Sequence, residues 1–344
     1  MLQASSPSPS ILNKASADLG KLVEPVKGDV ASVEELLSSN LIDDNPFITE
    51  LLAQIFKAGG KRIRPALTLL CSRATMAGGQ EFGQVHIILA VLTELIHTAS
   101  LVHDDVIDGA SLRRGTQTVN RRFNDRIAVL MGDLLFAQAS ICLARIMNPV
   151  IVGIYGRVLG DLCAGELRQM KQQFLTSVNW DEYSRKTIAK TASLFAAGSH
   201  SGAILNGAQE TIVEALKTYG LKLGICFQII DDLLDVVGTS DKLGKQPGSD
   251  LRSGIVTAPA LFVIERQDRA SAKIVELIKT RAIVSDDGSQ EAIDLIKQHG
   301  GVEATLKMAH QYAQESIESL SVIPSSVYRD SLAGLVDYVL TRIN

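Results

Sequence analysis

Cysteine is scarce in these 344 residues: Cys71, Cys142, Cys163 and Cys226 stand far apart, and none belongs to a CxxC pair. That spacing argues against a disulfide framework and a thiolate zinc site and suits a reducing compartment, so a cytoplasmic location is expected. Aromatic residues are only 5% of the chain, and nine prolines and 27 glycines are too few for a collagen-like or low-complexity sequence. Positive charge is not in excess: 34 Lys and Arg stand against 38 Asp and Glu, so the net charge of −4 offers no general attraction to nucleic acid. No apolar run reaches the roughly eighteen uninterrupted residues of a membrane span. The longest, Val85 to Val102, is interrupted by His86, Glu94 and His97. Residues 1–10 lack a basic segment with an apolar core behind it, and the first arginine is Arg62. Residues 1–15 are therefore expected to be a disordered tail, not a signal or an Arg-rich transit peptide, ahead of one domain over 16–344.

What the chain does have is apolar periodicity of helical spacing almost throughout, with no sustained alternation of period two, so the expected class is all-α. Candidate helices cover roughly 31–40, 46–58, 64–76, 81–106, 123–147, 149–174, 180–206, 208–237, 256–281, 289–298, 301–321 and 325–342. The stretch 84–105 is apolar nearly all round, as in a helix at the centre of a bundle. Between the apolar helices, Gly238 to Gly254 is a long connection rich in Gly, Lys, Asp and Ser, and a loop of that length inside a domain is more often a lid than filler.

Two aspartate triplets carry the strongest chemical signal. Asp104, Asp105 and Asp108 form DDVID, and Asp231, Asp232 and Asp235 form DDLLD; both are DDxxD. With 22 aspartates in the chain, chance supplies about 0.09 such triplets, so a pair is not accidental. On a helix, positions i and i+4 lie one above the other, so Asp104 and Asp108 share a side. Acidic pairs usually form a solvated helix face, but both triplets end strongly apolar runs, ILAVLTELIHTASLVH and LGICFQII. Carboxylates clustered on buried helices repel one another, and a hard multivalent cation with oxygen ligands is the usual compensation. Magnesium bridging two Asp clusters through a diphosphate fits that pattern.

Candidate partners for such an anion lie nearby. Lys61, Arg62 and Arg64 stand in GGKRIRP, and Arg113 and Arg114 in SLRRG. Basic pairs in Gly-bounded loops suit diphosphate oxygens, although a solvated patch has the same composition. His97, two turns before Asp104, is either a satisfied core residue or part of the site. Lys190, followed by Thr191 in TIAKTASLF, either snorkels or meets an anion in a cleft. Gln228, one turn before Asp231, either turns its amide dipole to a developing positive charge or bridges helices. Ala99 and Ser100, one turn before Asp104, are both small, which leaves room for a long product tunnel or simply permits close helix packing.

In order, the segments GGKRIRP, ELIHTASLVHDDVID with LRRG after it, AKTASLF, FQIIDDLLD and GKQPGSDL resemble the trans-isoprenyl diphosphate synthases over about residues 46–342. SGIVTAPALF is similar to the long-chain polyprenyl members of cyanobacteria and plastids, the solanesyl diphosphate synthases among them. The resemblance implies one bundle of long antiparallel helices around a deep central cavity. It implies a Mg²⁺-dependent head-to-tail condensation of isopentenyl diphosphate with an allylic prenyl diphosphate, giving a long all-trans product of solanesyl type, a quinone side-chain precursor. Three Mg²⁺ ions would be held by Asp104, Asp105, Asp108, Asp231, Asp232 and Asp235. Lys61, Arg64, His97 and Arg114 would contact isopentenyl diphosphate; Arg113, Lys190 and Lys245 would contact the allylic diphosphate. Lys190, Thr191 and Gln228 are the implied catalytic residues, and Ala99 and Ser100 the chain-length positions. Ile255 departs from short-chain relatives, which have Lys there. A homodimer is expected by analogy, and a transient membrane contact at product release is compatible with it. The rivals are a shorter-chain farnesyl or geranylgeranyl diphosphate synthase, a terpene cyclase, and a non-catalytic subunit of a heteromeric synthase. Two intact DDxxD motifs with GGKRIRP disfavour the last two.

Overall fold

Helices form wherever the apolar period is helical, and polar side chains at their starts satisfy the first free N–H groups. The computed structural model describes residues 18–39, 45–57, 59–113, 115–238 and 247–343. The expected tail (1–15), Arg114 and Lys245 lie outside them. In chain order the helices are α1 (Leu19–Val23), α2 (Lys27–Ser39), α3 (Pro46–Lys57), α4 (Ile63–Ala74), α5 (Gln84–Ile107), α6 (Val119–Arg122), α7 (Asp125–Ile146), α8 (Pro149–Gln172) and α9 (Trp180–Thr187). They continue with α10 (Ser193–Leu205), α11 (Glu210–Val237), α12 (Ser249–Arg252), α13 (Ala258–Ile264), α14 (Arg269–Lys279), α15 (Asp286–Gln298), α16 (Gly301–Ser319) and α17 (Val327–Thr341). The all-α expectation holds; the described strands are two residues each, Leu112–Arg113 and Thr116–Gln117, in a small antiparallel hairpin.

Caps explain several boundaries. The Asn148 side chain accepts from the N–H groups of Val150 and Ile151 while Pro149 opens α8. Asn179 and Glu182 form a reciprocal capping box at the start of α9. Asp286, Asp287 and Gly288 look like a breaker in sequence, yet they are the first turn of α15. Ser285 Oγ accepts from Gly288 N–H at 3.1 Å, and the two acids sit where the helix dipole favours them. The helix expected over 256–281 is two, because Gln267 takes a left-handed φ of 54° and Asp268 caps a new start at α14. The expected helix over 180–206 runs through but carries a π turn at Ile188–Ala192 between α9 and α10.

The central helix expected from the sequence is α5, whose residues from His86 to Ile96 are all buried. It packs along α7, α4 packs on α5 and α10, and α11 packs on α10 and α16. Buried apolar side chains from α2 to α17 form one continuous core. Although no uninterrupted apolar run reaches a span's length, α5 and α7 are both long and apolar enough overall to cross a membrane. In α5 78% of that apolar stretch is buried inside the protein, which accounts for its composition; in α7 only 33% is, and its other side is exposed.

Two helices press on the π turn through glycine. A Cβ on Gly165 of α8 would come within 2.9 Å of Ala189 Cβ and 3.1 Å of Lys190 Cγ, and one on Gly224 of α11 within 2.6 Å of Ala192 Cα. Backbone cannot yield as a flexible side chain does. Gly224→Ala is therefore expected to lower stability by about 1–3 kcal/mol, read as a lower midpoint in urea unfolding; an unchanged midpoint would show that the packing is looser than described.

Candidate active site

The last turn of α5 is where a buried apolar helix meets polar surroundings, and it carries the first triplet. Asp104 is half-buried, Asp108 is exposed at the C-cap with its N–H donating to the Asp104 carbonyl at 2.8 Å, and Asp105 is buried. Burial pushes the Asp104 carboxyl up to about 6; Lys190 opposes that rise, while Glu166 and Asp108 add to it. Asp108 is also raised, first by desolvation and then by the charges of Glu166 and Asp105, with Lys190 and Arg113 opposing. Asp105 has a different partner: Arg113 Nε donates to its two oxygens at 2.8 and 3.0 Å, and Arg113 Nη2 lies 2.8 Å from Oδ1.

Three different environments meet the second triplet on α11. Asp231 is half-buried and faces the Arg342 guanidinium, 2.8 Å from Nη1. Asp232, 2% exposed, accepts from Tyr183 Oη at 2.7 Å, from Gln228 Nε2 at 2.9 Å and from Ala258 N–H at 3.5 Å. Asp235, 3% exposed, accepts from Ser249 Oγ at 2.8 Å and from the N–H groups of Ser249 and Asp250, so it ties α12 and the described end of the long connection to α11. The six aspartates are thus not equivalent. Asp105, Asp232 and Asp235, expected from motif alone to bind metal, are engaged by protein donors; Asp231 is half-buried and paired with Arg342, and Asp104 and Asp108 are the more open positions.

The π turn links the two triplets. Lys190 forms a buried ion pair with Glu166 of α8 and feels the charges of Asp104 and Asp108. The next residue, Thr191, donates from Oγ1 to Gln228 Oε1 at 2.6 Å, and Gln228 passes the connection to Asp232. Lys190 is therefore paired with a carboxylate of the protein itself. Gln228 both bridges helices and orients its amide oxygen toward Thr191.

A basic cluster stands beside Asp231. Arg64 Nη1 lies 3.0 Å from His97 Nε2, and because guanidinium only donates, that ring nitrogen accepts. Arg64 also stacks on Phe195 at 4.6 Å, and Arg342 stacks on Phe227 at 4.3 Å. Lys61 Nζ donates to Tyr338 Oη at 2.7 Å. Arg62, between them, is structural: in a left-handed conformation (φ 46°) it reaches Glu34 and Glu94, each at 2.6 Å, and pins GGKRIRP to α2 and α5. Ala99 is fully buried, and half-buried Ser100 donates to the His97 carbonyl at 2.8 Å. On the face of α5 toward α3 and the hairpin, a recess is lined by Gln54, Phe56, His97, Thr98, Asp105 and Arg113.

Sequence reasoning missed Glu166, Tyr183 and Arg342. None belongs to a charge cluster or a repeated spacing; only a lone acid amid the buried positions of α8 hinted at Glu166.

Comparison with known proteins identifies the family. The family model described as polyprenyl synthetase matches residues 45–296. The chain belongs to the polyprenyl synthetase family. It is 39% identical over 328 residues to solanesyl-diphosphate synthase 2, chloroplastic, of Oryza sativa subsp. japonica, covering 95% of this chain and 80% of that one. It is 41% identical over 323 residues to a prenyl transferase of Synechocystis, covering 94% and 98%. Among solved structures, it is similar to a polyprenyl synthase from Caulobacter crescentus complexed with calcium and isoprenyl diphosphate, with a TM-score of 0.89, 33% identity and coverage of 96% and 99%. A decaprenyl diphosphate synthase from Rhodobacter capsulatus gives a TM-score of 0.87 at 35% identity, covering 95% and 100%.

Burial raises both the Asp104 and the Asp232 carboxyl, but Asp232 is held by hydrogen bonds from Tyr183 and Gln228, so their amide variants should part company. Asp104→Asn is expected to unfold at the same temperature as wild type or higher, yet to lose at least about a hundredfold in turnover. Asp232→Asn breaks buried hydrogen bonds and should lose about 1–3 kcal/mol of stability. Thermal melts beside a turnover assay check both; a destabilised Asp104→Asn would contradict the electrostatics described.

Proposed function

We propose that this family member condenses isopentenyl diphosphate with an allylic prenyl diphosphate, 1′ to 4, and repeats the step to build a long all-trans polyprenyl diphosphate of solanesyl type. The observation that carries the reading is the linkage of two Asp triplets through Lys190, Thr191 and Gln228, beside a separate basic cluster of Lys61, Arg64 and His97. One anionic group can sit against the first set and a second against the other.

Asp104, Asp108 and Asp231 would hold Mg²⁺ ions, three per site in this reading. Among the described residues no three acidic, imidazole or thiol groups converge into a cage. That suits magnesium, which takes one or two carboxylates and completes its shell with water and diphosphate oxygens. When bound, such ions supply charge neutralisation for a departing diphosphate. Lys190, with Arg113 and Lys245, would hold the allylic diphosphate as negative charge grows on it. Arg113 would do so while paired to Asp105. The Thr191 hydroxyl and the Gln228 amide oxygen present negative dipole ends to the allylic cation left by C–O cleavage. Lys61, Arg64, His97 and Arg114 would orient isopentenyl diphosphate so that its double bond attacks that cation; loss of a proton then gives a trans product five carbons longer. No side-chain nucleophile is required. Water would quench the cation, which accounts for placing the reaction among buried helices under the connection held by Asp235.

The exposed side of α7 and α8 supports a homodimer. Leu130 and Ile141 on α7 and Val150, Val152, Leu167 and Met170 on α8 are exposed large apolar residues on two consecutive helices, which marks these helices as candidates for contact with another protein surface. A second copy covers them in this reading. The described cysteines are all free, which suits a reducing compartment such as the cytoplasm; the chloroplastic relatives are plant proteins.

Purified chain given Mg²⁺, isopentenyl diphosphate and C5 to C20 primers should release products beyond C20, read by mass spectrometry, and Ala99→Phe should shorten them. Products that stop at C15 or C20 in wild type, or a length unmoved by Ala99→Phe, would overturn the tunnel assignment. Failure to consume isopentenyl diphosphate at all would overturn the activity. For the assembly, wild type should sediment as a dimer and Leu130→Glu with Ile141→Glu as a monomer; a monomeric wild type ends that proposal.

A further inference from the structure

Lys190 is a flexible side chain asked to place one charge accurately, and three contacts restrict it. Its backbone lies in the π turn, where the extra residue per turn re-aims the side chain relative to the flanking helices α9 and α10. Its Cγ rests close against Gly165, where a Cβ would lie 3.1 Å from it and crowd it. Its Nζ meets Glu166, the very next residue of α8, so stem and tip are gripped by adjacent positions of one helix. Glu166 is tethered in turn, for its other oxygen accepts from Gln169 Nε2 at 3.4 Å. The side chains of Glu166 and Lys190 are 12% and 23% exposed, and the groups whose charge reaches Lys190 besides Glu166 are Asp104 and Asp108.

We propose that Glu166 is a positioning residue for the allylic diphosphate: by accepting one N–H of Lys190 it leaves the ammonium's remaining donors directed at the space beside Asp104 and Asp108. This rests on the reading of Lys190 as an allylic diphosphate contact and deepens it. An ammonium has three donors, so one can stay on Glu166 while others meet a diphosphate oxygen. The role belongs to the acceptor oxygen and its place, not to net charge, since the site already has Asp104 and Asp108. Glu166 does not touch the reacting atoms in this account; it acts through Lys190.

The test is a cycle of variants, each checked by thermal unfolding and assayed with Mg²⁺ below its melting range. Glu166→Ala leaves Lys190 unanchored and is expected to lower kcat about ten- to a hundredfold, the scale of misplacing a catalytic contact by about an ångström, with the KM for isopentenyl diphosphate unchanged. Glu166→Gln keeps an acceptor oxygen in the same place and should stay within about threefold of wild type. In a Lys190→Met background, Glu166→Ala should cost less than about twofold more, because what it positions is already gone. Equal losses from Glu166→Ala in both backgrounds, or a Glu166→Gln as impaired as Glu166→Ala, would overturn the positioning role. If Lys190→Met itself turns over like wild type, it is the allylic-site reading that falls; if Lys190→Met is impaired and Glu166→Ala is not, only the role of Glu166 falls.

Discussion

Carboxylates brought together at the ends of buried helices repel one another, and the connections around this site answer that repulsion. The answer is uneven. Arg113 neutralises Asp105, Tyr183 and Gln228 solvate Asp232, and the amides of α12 solvate Asp235. Asp104 and Asp108 receive the charge of Lys190, which Glu166 already shares, and that of Arg113, which Asp105 already holds. The fold thus spends its donors on four of the aspartates, Asp231 included through Arg342, and leaves Asp104 and Asp108 short of positive charge, which is the condition for holding a divalent cation together with a diphosphate.

The π turn at Ile188–Ala192 is the mechanical centre of that arrangement. Its two polar side chains point to different triplets, Lys190 toward α5 and Thr191 toward Gln228 on α11. An unbroken α-helix would separate adjacent residues by about 100° in a regular way, and the inserted residue alters that relation locally. Glycines at 165 and 224 let two helices approach the turn closely enough to hold it. Packing and electrostatics therefore meet in one short segment, and changes in either should register in the other.

On the opposite side of Asp231 the basic cluster is organised by aromatic rings. Phe195 and Phe227 carry the guanidinium groups of Arg64 and Arg342 on their ring faces, with Arg342 also paired to Asp231. His97 Nε2 accepts from Arg64 Nη1.

Local patterning was enough for the all-α class, the central place of α5, the two DDxxD triplets and the kinship they signal, because helical period and motif spacing are properties of neighbouring residues. The same patterning misread two boundaries where backbone geometry intervened: the break at Gln267 and the capped start at Ser285. Which aspartate of each triplet stays open could not be read in advance, since it depends on Arg113 turning back across the hairpin, on Tyr183 arriving from α9 and on Arg342 from the far end of the chain. Glu166 meets Lys190 only because α8 and the π turn pack through Gly165. The linear chain determined which charges exist and how they repeat; the tertiary structure decided which of them are already satisfied, because satisfaction depends on donors that come from segments remote in sequence.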